Sequence, residues 1–122
     1  MTTQMQFARQ GIVTEAMKLV AAQENVSEEF IRQGVAQGTI AICCNRNHKN
    51  LKPCGVGQGL RVKVNANIGT SSSFPCIELE LVKLQAAIDA GADAVMDLST
   101  GDNITASRRA IINASTVIVG TV

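Results

Sequence analysis

The second half of the chain alternates apolar runs of strand length with amphipathic runs of helix length. Strands separated by helices are joined by right-handed crossovers and run parallel in one sheet. We therefore expect an α/β fold with about three parallel strands and crossover helices. The predicted elements are a strand at 60–66, a helix at 76–90, a strand at 94–98, a helix beginning after Asn103 and a strand at 117–119.

A helical segment is expected to precede this alternating part, because apolar residues recur there at helical spacing and capping residues separate the runs. The signals are the spacing from Met5 to Ile12, the N-cap candidates Thr14 and Ser27, the stop at Gly38, a short strand at 39–43 and a polar loop at 45–52.

The chain reaches Val122 directly after its last apolar strand. A parallel strand is normally covered on both faces and flanked on both edges. We therefore expect a truncated chain, which is a piece of a larger barrel or of a doubly wound fold.

Composition excludes several classes of protein. Eleven Lys and Arg residues against ten Asp and Glu give a net charge of +1, and the only aromatic residues are three Phe. A general nucleic-acid binder normally has a basic stripe or stacking aromatics, so no nucleic-acid partner is expected. No apolar run approaches the roughly 18–20 residues that span a bilayer, and no secretory signal is present. The prediction is a soluble cytoplasmic protein without a membrane partner.

The four cysteines, Cys43, Cys44, Cys54 and Cys76, favour reduced thiols. No pair has the C-x-x-C spacing of a zinc knuckle or an iron–sulfur loop, and adjacent cysteines form a disulfide poorly. Two disulfides remain an alternative for an even count, but the chain has no secretory signal. A local zinc site at His48, the only histidine, with Cys44 and Cys54 is a weak alternative because it lacks ligands.

Two loops are candidate ligand sites, because ligands of parallel α/β folds sit at the carboxyl ends of the strands. The first, 65–73, combines amides, hydroxyls and a glycine beside a helix N-terminus, where a phosphate can bind. The second, 96–103, lies at the equivalent level of the next unit. The candidate loop residues are Asn65, Ser71, Ser72, Asp97 and Ser99.

Strand alternation adds Asn67 to these candidates. Val62, Val64 and Ala66 would share the face that packs on the helices. Lys63, Asn65 and Asn67 would share the opposite face, which is the interior of a barrel. In the alternative interpretation these polar groups satisfy one another, and Ser72 and Ser73 only cap the helix.

The glycine-rich run at 55–59 precedes its strand, whereas a dinucleotide-binding loop follows a strand and opens a helix. We therefore expect this run to be a flexible entry to the strand.

Three runs make the family recognisable: GQGL at 57–60, KVNANIGTS at 63–71 and GADAVMDLSTG at 91–101. Together they resemble the phosphomethylpyrimidine synthases, the radical S-adenosylmethionine enzymes of thiamine biosynthesis. Shorter stretches at 3–5, 11–14, 45–48 and 118–122 are similar to the same family. The resemblance covers essentially the whole chain.

The resemblance implies a (βα)8 barrel and a lyase that converts aminoimidazole ribonucleotide into hydroxymethylpyrimidine phosphate. Residues 1–50 would form a helical preamble, and residues 51–122 would hold the first βα units of the truncated barrel. A 5′-deoxyadenosyl radical, made from S-adenosylmethionine at a 4Fe–4S cluster, starts the reaction. By position in the motifs, Asn67 and Met96 would contact the ribonucleotide.

The family also implies zinc, and a homodimer for the full-length enzyme. Its cluster cysteines, in a C-x-x-C-x-x-x-x-C run, and its metal-binding histidines lie far toward the C-terminus and match nothing in this chain. We therefore expect no catalytic residue and no metal ligand here, and no activity from the chain alone.

Two departures from the family pattern leave alternatives open. Cys43 and Cys44 stand where the family commonly has Pro-Ala, and Thr70 replaces a frequent asparagine. A sister group makes 5-hydroxybenzimidazole, a cobamide precursor, from the same ribonucleotide. Two further alternatives are a stand-alone module that binds a phosphorylated metabolite at residues 67–73 and a remnant of a disrupted gene that has no activity of its own.

Overall fold

The computed structural model describes residues 2–122 and divides them into two compact units. The first contains residues 2–44 and Pro53–Val62, and the second contains Asn45–Lys52 and Lys63–Val122. Residues 53–62 thus pack with the helical segment, although the sequence assigns them to the barrel units.

The first unit holds three helices and a β-hairpin: α1 (Gln4–Arg9), α2 (Glu15–Glu24), α3 (Glu28–Gln37), β1 (Ile40–Cys43) and β2 (Cys54–Gly57). The predicted caps are confirmed, since the hydroxyls of Thr14 and Ser27 accept hydrogen bonds from the backbone N–H groups of Met17 and Phe30. Gly38 ends α3 in the left-handed conformation, with φ of 81°.

Arg32 connects α3 to α1 in this unit. Its Nη1 donates to the carbonyl of Ala8 at 2.6 Å, and its Nε donates to Glu29 at 2.7 Å. Hydrogen bonds from Arg32, and then from Gln33, lower the pKa of Glu29 to about 2. The helices enclose an apolar core made of Ala8, Met17, Val20, Ala21, Ile31, Val35 and Ile40.

The glycine-rich run at 55–59 is not a flexible entry, because most of it is strand. β2 pairs antiparallel with β1, from Ile40 opposite Gly57 to Cys43 opposite Cys54. A side chain at Gly57 would meet the Cα of Ile40 at 2.7 Å, so glycine is required where the two backbones approach.

The second unit has the predicted alternation: β3 (Asn65–Ile68), α4 (Ile77–Asp89), β4 (Ala94–Asp97), α5 (Ile104–Ala114) and β5 (Ile118–Thr121). The three strands form one parallel sheet in the order β3-β4-β5, which confirms the parallel α/β prediction. Within residues 2–122 the sheet is three-stranded and does not close into a barrel. Its buried core consists of Ile68, Leu84, Val95 and Ile111.

The first strand of this sheet begins later than predicted, at Asn65 rather than at residue 60. Val62 and Val64 are exposed, so the prediction that they pack on helices is wrong. The backbone of Val64 instead bonds to a turn: its N–H donates to the Asp93 carboxylate at 2.8 Å, and its carbonyl accepts from Asp93 N–H at 2.9 Å.

None of the helices described in residues 2–122 combines the length and the apolar character needed to cross a membrane.

Gly34→Ala is expected to destabilise the protein, because overpacking of a core typically costs about 1–3 kcal/mol. A Cβ at Gly34 would lie 2.7 Å from Cγ1 of Ile40, which is buried in the core. This cost should exceed the helix propensity that alanine gains, about 1 kcal/mol. Urea denaturation measures the change, and Gln37→Ala, at an exposed position of α3, is the control. Equal stability of Gly34→Ala and wild type would contradict this packing.

Candidate functional site

Asn67 and Met96 lie side by side on one face of the parallel sheet. Asn67 is the register partner of Met96, and Met96 is the partner of Gly120. Registered partners in a sheet share a face, and successive residues of a strand alternate between faces. Because Ile68 and Val95 are buried in the helix-facing core, Asn67 and Met96 face away from the helices. We call Asn65, Asn67, Met96 and Gly120 the amide–thioether face.

Two contacts arrange this face. The Asn65 side-chain Nδ2 donates to the Asn67 Oδ1 at 3.1 Å. The Met96 Cε and Sδ lie 3.0 and 3.1 Å from the place where a Cβ on Gly120 would be. The thioether therefore occupies space that any larger residue at position 120 would take. Sequence reasoning found Asn67 from strand alternation, but it missed Gly120.

Asp97 and Ser99 lie on the other side of the sheet, at the level of α5. Asp97 is fully buried, and its Oδ1 accepts from Ser99 N–H at 3.0 Å. Its Oδ2 is buried without a hydrogen bond, 4.0 Å from Nε of Arg108. The Ser99 hydroxyl accepts from Thr70 N–H at 3.1 Å. The structure thus does not bring these two candidates together with Asn67.

Ser71 and Ser72 are exposed in the loop before α4. Ser71 and Phe74 form a tight turn through two backbone hydrogen bonds. The N-cap of α4 is Cys76, without a side-chain capping bond, so the alternative that Ser72 and Ser73 cap this helix is wrong. Asn103, the N-cap residue of α5, makes no side-chain capping bond either. A cavity of about 220 Å³ is lined by Thr70, Ser71, Ser72, Pro75, Ile77, Thr100, Asp102 and Asn103.

Glu80 is a buried carboxylate that fixes the end of β3. Only 1% of the residue is exposed, and its Oε2 accepts from Gly69 N–H at 2.7 Å. Its Oε1 pairs with Lys83 at 2.5 Å. Sequence reasoning missed this residue. The available signal was its position four residues before Leu84, within the apolar stripe of the helix.

Gly69 also brings the two candidate loops into contact. Its φ is 149°, and a Cβ there would lie 2.5 Å from the backbone nitrogen of Ser99. Thr100 N–H donates to the Thr70 carbonyl at 2.8 Å, so the loops after β3 and β4 are joined through their backbones. The amide–thioether face is therefore supported by a rigid strand end.

The electrostatics at the start of α4 are local. Cys76 Sγ lies 3.4 Å from Oε2 of Glu78, to which it donates. The pKa of Glu78 is lowered, first by its own backbone N–H and then by Cys76. Glu78 is exposed, so both of these effects on its pKa act on a carboxylate at the surface.

The residues present do not fit a 4Fe–4S cluster or a zinc ion. Across residues 2–122, no three His, Cys, Asp or Glu side chains are grouped closely enough to hold a metal ion. The His48 ring Nε2 is 2.7 Å from the carbonyl of Ser115, which only accepts, so this nitrogen donates.

The comparisons with known proteins agree on one family. A family model described as the radical SAM ThiC family matches residues 3–122. The chain is 62% identical over 120 residues to the phosphomethylpyrimidine synthase of Desulforamulus reducens, and 60% identical over 120 residues to that of Caldanaerobacter subterraneus. Each match covers 98% of this chain and 28% of the relative. The chain therefore spans little more than a quarter of the relatives it matches.

Glu80→Ala is expected to lower the free energy of unfolding by about 2–3 kcal/mol, because the half-buried Gly69 N–H loses its acceptor. Glu80→Gln keeps an acceptor oxygen, so it should cost less. Urea denaturation measures both variants. Gln85→Ala, at an exposed position of α4, is the control and should stay within about 0.5 kcal/mol. An Ala variant as stable as the Gln variant would contradict the role of this hydrogen bond.

Proposed function

Because this chain belongs to the radical SAM ThiC family, we propose that it is part of an enzyme converting aminoimidazole ribonucleotide into hydroxymethylpyrimidine phosphate in thiamine biosynthesis. The relatives are named phosphomethylpyrimidine synthases, which supports the pyrimidine product. In this proposal β3, β4 and β5 are strands of a (βα)8 barrel, and residues 1–50 form its helical preamble. The whole enzyme would be a cytoplasmic homodimer that acts as a carbon–carbon lyase.

The observation that carries this proposal is the pairing of Asn67 with Met96 at the carboxyl ends of two parallel strands. Parallel α/β enzymes bind their substrates at these strand ends. The Asn67 amide can hydrogen-bond a polar edge of the ribonucleotide, and its oxygen already accepts from Asn65. The Met96 thioether can pack on the imidazole ring, since sulfur makes favourable contacts with aromatic rings.

The loop residues have two different roles in this proposal. Ser71 and Ser72, which are exposed, would approach the substrate from the β3–α4 loop. Asp97 and Ser99, which are buried, would act indirectly by holding the loop ends in place. The family implies S-adenosylmethionine, a 4Fe–4S cluster and zinc, and in this proposal the cluster and the zinc would be held by residues other than 2–122.

A chimera tests the proposal. This chain replaces the matching N-terminal part of the Desulforamulus reducens synthase, and anaerobic turnover of aminoimidazole ribonucleotide is followed by mass spectrometry. We expect hydroxymethylpyrimidine phosphate as the product. Asn67→Ala in the chimera should lower kcat/KM by about 10- to 100-fold, equivalent to the loss of one or two hydrogen bonds.

Asn113→Ala, an exposed asparagine on α5, is the matched control and should leave kcat/KM unchanged. A folded chimera that does not turn over, or full activity of Asn67→Ala, would contradict the substrate site. Formation of 5-hydroxybenzimidazole would favour the sister activity instead.

The chain alone should be inactive. After anaerobic incubation with iron and sulfide, residues 1–122 are expected neither to hold a stable 4Fe–4S cluster nor to cleave S-adenosylmethionine, because residues 2–122 offer no three-ligand group. Absorption spectra and 5′-deoxyadenosine analysis measure both. The full-length Desulforamulus reducens protein is the positive control. Cleavage by the isolated chain would refute the prediction, and nucleotide binding without cleavage would favour the stand-alone module.

A further inference from the structure

The β1–β2 hairpin places two cysteines directly opposite each other. Cys43 is the last residue of β1, Cys54 is the first residue of β2, and the two are register partners. The structure presents both as half-buried thiols. The Sγ of Cys54 lies 3.9 Å from the carbonyl oxygen of Gly55, to which it donates.

The alternation of the hairpin puts this pair on its outer face. Ile40 is buried in the core of the first unit, and Gly55 is buried against Val20. The residues that share a face with the cysteines, Ala41 and Val56, are exposed. A small thiol reagent can therefore reach Cys43 and Cys54 without unfolding the core.

The geometry of the pair suits a disulfide with a small adjustment. Gln58 N–H donates to the Thr39 carbonyl at 3.0 Å, and the bonding type alternates along an antiparallel ladder. Cys43 and Cys54 thus form a hydrogen-bonded pair, with Cα atoms about 5.5 Å apart. Disulfides most often have this Cα separation, but their Cβ atoms are closer, at about 3.8 Å. The pair lies at the end of the ladder, where a strand can move most easily.

We propose that Cys43 and Cys54 are a thiol–disulfide modification site, which is oxidised by a small disulfide of the glutathione type. One cysteine thiolate attacks a sulfur of the oxidised reagent, forms a mixed disulfide and releases one reduced thiolate. The second cysteine thiolate then attacks the protein sulfur of the mixed disulfide, forms the Cys43–Cys54 bond and releases the second reduced thiolate. Two electrons pass from the cysteines to the reagent, and the two protons of the cysteines end on the released thiols.

The modification is independent of the proposed enzymatic function, because it depends only on the register of the hairpin. The new bond would close a ring containing residues 44–53. Closing a ring lowers the conformational entropy of the unfolded chain. We therefore expect oxidation to raise Tm by several degrees.

The test equilibrates the full chain with mixtures of reduced and oxidised glutathione, followed by acid quenching, alkylation and tryptic mass spectrometry. The expected product is monomeric, 2 Da lighter than the reduced chain, and joins the peptide of residues 33–46 to that of residues 50–61. Returning it to reduced glutathione should reverse the bond. In guanidinium chloride the preference for this pair should disappear.

Cys43 and Cys44 fall in the same tryptic peptide, so mass spectrometry alone does not distinguish them. Cysteine variants therefore identify which sulfur atoms form the disulfide. Cys44→Ser and Cys76→Ser should keep the cross-link and the rise in Tm, whereas Cys43→Ser and Cys43→Ala should lose both. Circular dichroism establishes that each variant is folded. A cross-link lost in Cys44→Ser but kept in Cys43→Ser, a disulfide-linked dimer, or glutathionylation without ring closure would overturn the proposal.

Discussion

The register of the parallel sheet is the constraint on which the candidate site depends. Ile68 and Val95 must be buried together with Leu84 and Ile111, because they are the apolar core of the second unit. Since side chains alternate along a strand, burying these residues turns Asn67 and Met96 to the opposite face. A slip of one residue would exchange the two faces and expose the core. The burial of the apolar core, which stabilises the fold, therefore also determines the face on which the candidate site lies.

The loops after β3 and β4 are held in place by hydrogen bonds between buried polar groups. The Ser99 hydroxyl lies 2.9 Å from the Ser107 hydroxyl and accepts from Thr70 N–H, and Glu80 accepts from Gly69 N–H. Buried polar groups without partners are costly, so such a network specifies one arrangement of the loops. These residues support the candidate site from the helix-facing side of the sheet, while Asn67 and Met96 lie on the opposite face.

Local signals predicted much of the fold. The caps Thr14 and Ser27, the stop at Gly38 and the apolar stripe of α4 are readable because each depends on neighbours within one or two turns of helix. Alternation also placed Asn67 correctly on the face away from the helices. The contact of Met96 with the substrate, by contrast, came from the family resemblance and stays a prediction.

Features that depend on contacts between residues far apart in the sequence were not predicted. β2 is rich in glycine and has little strand propensity of its own, so only its pairing with β1 makes it a strand. Glu80 resembles a solvated charge until the N–H of Gly69, eleven residues away, is placed beside it. Val62 was wrongly predicted to belong to the strand, because it is apolar and lies close to it in the sequence, but it is exposed.

The contact between Met96 and Gly120 couples two positions that lie far apart in the sequence. The thioether of β4 leans over β5 into the volume left by the missing side chain. A substitution at either position alone would therefore change the shape of the surface that Met96 and Gly120 form. Among related sequences, a bulkier residue at position 120 should therefore be accompanied by a shorter one at position 96.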